Sequence, residues 1–162
     1  PLPPREINLI LNRYFSRMTD IVFSYGGTLD KYIGDGLMAV FGAPMEKEDD
    51  AERDVRTALE IRRQLTDMMK KTTPEKRFDI RVGLNTGRVV AGNIGSPKRM
   101  EYTVIGDPVN VASRLESIAE PNQIIIGEET FGFVKKKFKI QEIGTRQVKG
   151  KSSGIMVYEV LE

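Results

Sequence analysis

Gly27-Thr28-Leu29-Asp30-Lys31-Tyr32-Ile33-Gly34-Asp35-Gly36-Leu37-Met38-Ala39-Val40-Phe41-Gly42 is a pair of short apolar runs folded about a Gly-Asp-Gly tripeptide. The runs at 28–33 and 37–41 read as strands, and the tripeptide as the tip of a β-hairpin. An Asp between glycines is an ordinary turn residue. It is equally a carboxylate held rigidly by two strands, beside backbone that phosphates and a cation can approach closely. On the tripeptide alone both readings of Asp35 stay open.

Outward from the hairpin the periodicity changes. Upstream, Ile7, Ile10, Leu11, Tyr14, Phe15, Met18, Ile21, Val22 and Tyr25 recur at helical spacing, and Gly26-Gly27 ends the run. Downstream, a second helix fits Asp50 to Lys70, with Val55, Ala58, Leu59, Leu65, Met68 and Met69 inward. Its start is acidic (Glu46, Glu48, Asp49, Asp50) and its end basic (Lys70, Lys71), as the helix dipole favours. Residues 78–84 and 88–91 read as strands joined by Asn85-Thr86-Gly87, and 100–105 as another. Gly106-Asp107-Pro108 opens a third helix, with Asp107 as cap and Pro108 at the first position. A strand at 123–126, a short helix at 128–134 and a strand pair at 138–143 and 155–160 complete the chain. This order predicts a single α+β domain over residues 1–162, one mixed sheet with helices on one face.

Composition narrows the chemistry. The chain has 162 residues, 40% hydrophobic and 30% charged, with a net charge of +2. That is ordinary for one globular core, and too little charge to argue for nucleic acid. No basic stripe with interleaved aromatics appears, so no nucleic-acid partner is expected. With neither Cys nor His, thiolate and imidazole chemistry are excluded, and any metal must rest on oxygen ligands, which suits magnesium, manganese or calcium. No apolar run is long enough to span a bilayer. The start at Pro1-Leu2-Pro3-Pro4, without an initiator Met, reads as the end of a loop in a longer protein.

Five further residues carry candidate chemistry. Asn110 and Arg114, four apart, share one face of the third helix with Ser117, away from the apolar arc of Val111, Ala112, Leu115, Ile118 and Ala119. This is either a solvated stripe or a pair in which Asn orients a sugar oxygen and Arg neutralises charge on a phosphoryl group. Lys31 is either an exposed edge charge or a donor to a ring nitrogen. Thr103 is either β-branched filler or a hydroxyl that meets an exocyclic group. Lys149, beside Gly150, is either a solvated loop residue or a point charge for a triphosphate.

In this order the segments resemble the class III adenylyl and guanylyl cyclase catalytic domain. The carrying stretches are residues 27–42, Arg81-Val82-Gly83-Leu84-Asn85-Thr86-Gly87, residues 102–116 and Val148-Lys149-Gly150-Lys151. The resemblance implies a ferredoxin-like sheet, two divalent ions (magnesium or manganese, one replaceable by calcium) and active sites shared across a head-to-tail homodimer. It implies Asp35 as a metal carboxylate, Lys31 and Thr103 as base readers, Asn110 as the ribose-orienting residue, Arg114 as the transition-state Arg and Lys149 as the triphosphate Lys.

The Lys31/Thr103 pair implies ATP as substrate and cyclic AMP as product, since guanylyl cyclases of the family typically carry Glu and Cys there. It also places the chain near a bicarbonate-responsive branch. The family's first strand, with its other metal Asp, belongs before Pro1, so the N-terminal strand is expected to be missing here and these residues alone to turn over weakly or not at all. The implied setting is a cytoplasmic domain of a larger signalling protein. The competing expectation is a degenerate cyclase-like module that binds nucleotide or dimerises without turnover.

Overall fold

The computed structural model describes residues 2–148 and 153–162. In chain order these form α1 (Pro4–Ser24), β1 (Thr28–Ile33), β2 (Gly36–Val40), α2 (Asp50–Lys70), a 3-10 turn (Pro74–Lys76), β3 (Val82–Leu84), β4 (Val90–Ser96), β5 (Arg99–Ile105), α3 (Asp107–Ile118), β6 (Ile124–Gly127), α4 (Glu128–Val134), β7 (Ile140–Arg146) and β8 (Ile155–Val160). The α+β class expected from the sequence is the class observed.

β6 is the axis of the fold. It pairs in parallel with β3 and antiparallel with β8, and β7 closes the far side of β8. Ile124, Ile125 and Ile126 are at most 1% exposed, so the strand is covered on both faces, as an unbroken apolar run predicts. Each such side chain contributes roughly 1.5–3 kcal/mol by leaving water. Alternation sends Ile124 and Ile126 towards Val55 and Ala58 of α2 and Val134 of α4, with Tyr158 and Val160 of β8. Ile125 and Val157 point the other way, onto Val111 and Leu115 of α3 and Ala119 just beyond its end. The expectation of helices on one face therefore holds for α2 and α4 and not for α3, because β6 has a second apolar side to cover.

α1 starts at Pro4, where a missing N–H leaves no helical bond unmade, and buries Tyr14, Met18, Ile21 and Val22 against Ile61 and Leu65 of α2. Arg53 of α2 locks the junction. Its guanidinium donates to the Tyr25 carbonyl at 2.7 Å, to Asp49 at 3.0 Å and to Asp50, and it lies over the Phe41 ring. At the other end Arg62 donates to the Leu161 carbonyl at 2.7 Å and ties down the C-terminus.

The mixed sheet is divided. Beside the four-stranded part stand two antiparallel ribbons, β1–β2 and β4–β5. The second is longer than the sequence reading allowed: it runs in register from Val90↔Ile105 to Ser96↔Arg99 about a Pro97-Lys98 turn. Conversely, of 78–84 only Val82–Leu84 is strand. α3 begins one residue earlier than expected, with Gly106 as cap and Asp107 already in its first turn.

Candidate active site

Two structural groups hold the expected site residues. The first is the β1–β2 ribbon. Ile33 pairs with Gly36, leaving Gly34-Asp35 as a two-residue tip, and Gly34 takes φ +59°, a conformation that favours glycine. Asp35 is exposed there. In the core that β2 helps to cover lies Tyr14, whose ring meets Phe78 edge-on at 5.1 Å. Burial first, and the negative charge of Asp35 second, push the Tyr14 phenol well above its ordinary range, so this hydroxyl stays neutral beside the carboxylate. Phe15 against Tyr32 at 4.8 Å, and the Thr19 and Tyr32 hydroxyls 3.0 Å apart, fasten β1 to α1.

Along β1 the pairing slips once. Leu29 faces Ala39 and Lys31 faces Met38, so Asp30 is the extra residue of a bulge. A bulge interrupts the alternation of side chains and re-aims one of them. Asp30 is aimed at β5, where it accepts a 2.7 Å hydrogen bond from the Thr103 hydroxyl. Thr103 is 7% exposed. The structure thus joins Thr103 to the residue next to Lys31, whose own side chain is exposed.

The second group is α3. Gly83 of β3 lets the helix come close: a Cβ there would collide with the backbone of Ala112 and Glu116. With Val111 and Leu115 buried against the sheet, Asn110 and Arg114 project to solvent on the remaining face. Asn85 reaches from the end of β3 to donate to the Pro108 carbonyl at 3.1 Å, fixing the first turn of α3. Within one chain, α3 packs on β3 and β6, whereas β1 packs on α1, β2 and β5. Lys149 lies outside the described residues.

Asp30 was missed by the sequence reading. Its signal was available: Asp is disfavoured inside strands, so one placed there calls for a partner. Among the described residues no group of three or more acidic side chains could hold a metal ion. Asp35 alone still fits the way magnesium is usually held, by one or two carboxylates together with substrate phosphates. No helix among the described residues is long and apolar enough to cross a membrane.

The geometry is that of an α+β domain with a carboxylate at a hairpin tip and an Asn-Arg stripe on a sheet-bound helix. Comparison defines it further: residues 2–161 match the model of the adenylate and guanylate cyclase catalytic domain, and the chain belongs to that family. The adenylyl cyclase CyaB from P. aeruginosa superposes with a TM-score of 0.94 at 36% identity, over 99% of this chain and 85% of that one. The guanylyl cyclase Cya2 superposes with a TM-score of 0.91, also at 36% identity, over 98% and 82%. Adenylate cyclase 1 of Rhizobium meliloti is 31% identical over 98% of this chain, which spans 24% of that protein's length. Similarity therefore reaches cyclases of both substrate types.

Proposed function

We propose that this domain converts ATP to 3′,5′-cyclic AMP and pyrophosphate at a site shared by two copies of the chain. The observation that carries the choice of ATP is the Lys31–Asp30–Thr103 arrangement. An ammonium donor suits N1 of adenine, which accepts, and opposes N1 of guanine, which carries a hydrogen. The homodimer reading rests on the separation of the two groups: Asp35 sits on a ribbon, and Asn110 and Arg114 on the far helix, so facing copies would complement each other.

The ribose 3′ oxygen attacks the α-phosphorus, the bond to the bridging oxygen of the β-phosphate breaks, and the hydroxyl proton passes to solvent. Asn110 orients the ribose and Arg114 stabilises charge on the phosphoryl oxygens, so most of the acceleration comes from positioning and electrostatics. Asp35 would hold divalent magnesium or manganese together with the phosphates; such an ion supplies Lewis-acid stabilisation of the developing charge. Lys149 would meet the triphosphate. Bicarbonate stimulation is part of the same reading, through the resemblance at Thr103, as is a cytoplasmic setting within a larger signalling protein.

Arg114→Ala in the full-length protein should lower kcat by about 10²–10³-fold and change KM for ATP little, since its contact forms in the transition state. Unchanged kcat would remove Arg114 from the reaction. Lys31→Glu combined with Thr103→Cys should move preference towards GTP; retained ATP preference would overturn the assignment of the base readers.

A further inference from the structure

A free threonine hydroxyl cannot tell a 6-amino purine from a 6-oxo purine. It rotates to accept from the first or to donate to the second. Thr103 is not free. Its only proton is directed to Asp30: Thr103 Oγ1 donates and Oδ2 of Asp30 accepts at 2.7 Å. What Thr103 Oγ1 has left is lone pairs. Space for a ligand lies alongside: Gly92 is the cross-strand partner of Thr103, and a Cβ built on Gly92 would meet nothing within 4 Å. Partners across a ladder present the same face, so the side of β4 next to Thr103 is open.

We infer that Asp30 is the positioning residue for substrate choice: it holds the Thr103 proton and so makes Thr103 an obligate acceptor, which welcomes an exocyclic amino group and rejects a carbonyl. The β-bulge of β1 is the device that delivers Asp30 to β5. This inference rests on the reading of Thr103 as a base-facing residue, and it adds a selectivity determinant that does not itself touch the nucleotide.

The test uses the full-length protein with Mg²⁺ and three triphosphates: ATP, purine riboside triphosphate, which keeps an accepting N1 but lacks the 6-amino group, and inosine triphosphate, which carries a 6-oxo group. Wild type should favour ATP over purine riboside triphosphate by about fivefold in kcat/KM, the worth of one neutral hydrogen bond. In Asp30→Ala and in Asp30→Leu, which remove the acceptor, that ratio should fall to about one to two, and inosine triphosphate should gain relative to ATP as the freed hydroxyl donates to O6; Asp30→Asn, whose amide oxygen still accepts the Thr103 proton, should keep most of the ratio. If Asp30→Ala and Asp30→Leu slow all three nucleotides equally and the ratios hold, Asp30 is structural only and the inference fails, while Thr103 keeps its role. If wild type itself shows no preference, and Thr103→Val changes nothing, the base-facing reading fails and this inference with it. Should wild type show no turnover, the cyclase reading fails, and the same ratios are measured as binding constants by displacement of a fluorescent ATP analogue. Should Asp30→Ala not fold, Asp30→Leu decides.

Discussion

The four-stranded sheet and the two ribbons are opposites. Around β6 both faces of the sheet are covered by apolar side chains, and Leu115, Ile124 and Ile126 are fully buried. On β4–β5, Val90 is 64%, Met100 53% and Ile105 51% exposed. Antiparallel ribbons that face water on one side normally place polar residues there. Under the proposed function this exposed apolar surface is where a second copy would sit. The candidate chemistry divides along the same line: Asn110 and Arg114 ride on the helix seated on the sheet, and Asp35, Lys31 and Thr103 on the ribbons. The sheet holds its own shape; the ribbons would acquire their full environment from a second copy.

Stability should reveal the contrast most strongly. Leu115→Ala leaves a cavity between α3 and the sheet and should destabilise the domain by about 2–5 kcal/mol in urea unfolding. Tyr102→Ser, on an exposed ribbon position, should change it by about 0.5 kcal/mol or less. Equal effects would erase the distinction between the two regions. A smaller expected effect sharpens it. Ile105→Glu should leave the unfolding midpoint close to that of the wild type while lowering turnover about tenfold at dilute protein, with recovery at high concentration. Sedimentation should show the matching loss of dimer. Turnover independent of concentration, in a variant that sediments as wild type does, would free the ribbons from any role in association.

The same contrast explains what was legible in the chain. Helix α2 from Asp50 to about Lys70 and helix α4 from Glu128 to Val134 were legible, because acidic starts, helical periods and turn residues are local signals. The Ile124-Ile125-Ile126 run announced a strand covered on both sides, yet the expectation put all helices on one. Which element covers a face is a long-range fact, and the close approach of α3 over Gly83 is written in backbone contacts rather than in any nearby motif. The hairpin tip at Asp35 was readable from Gly-Asp-Gly. The bulge at Asp30 was not, since register depends on the partner strand. The run from Gly92 to Ser96 was missed as strand because glycine and asparagine weaken strand propensity, and only pairing with β5 makes it one.

Asp54 tests the sheet-bound side of the contrast through pH. It lies on the core-facing stripe of α2, between Asp50 and Ala58, with only part of its surface open to solvent. Loss of water first, and the charge of Asp50 second, push its carboxyl up to about 7. In the unfolded chain an Asp titrates near ~3.9. Below that pH both states hold the proton and Asp54 is neutral in its effect. Between the two values the unfolded chain releases its proton while the folded one keeps it, so stability falls as pH rises; above about 7 the loss is complete. Glu60 works in the opposite sense. Its hydrogen bonds from Arg63 and then Gln64 lower it to about 2, so its contribution is present above the ordinary Glu value and is lost as pH falls through 2. The Glu60 contribution is common to wild type and to Asp54→Asn, so the difference between them isolates Asp54. The variant should match wild type near pH 4 and exceed it by about 1–2 kcal/mol at pH 8 in urea unfolding. A difference that stays flat from pH 4 to 8 would show that Asp54 ionises alike in both states and that this end of α2 is wetter than the packing around Arg53 implies.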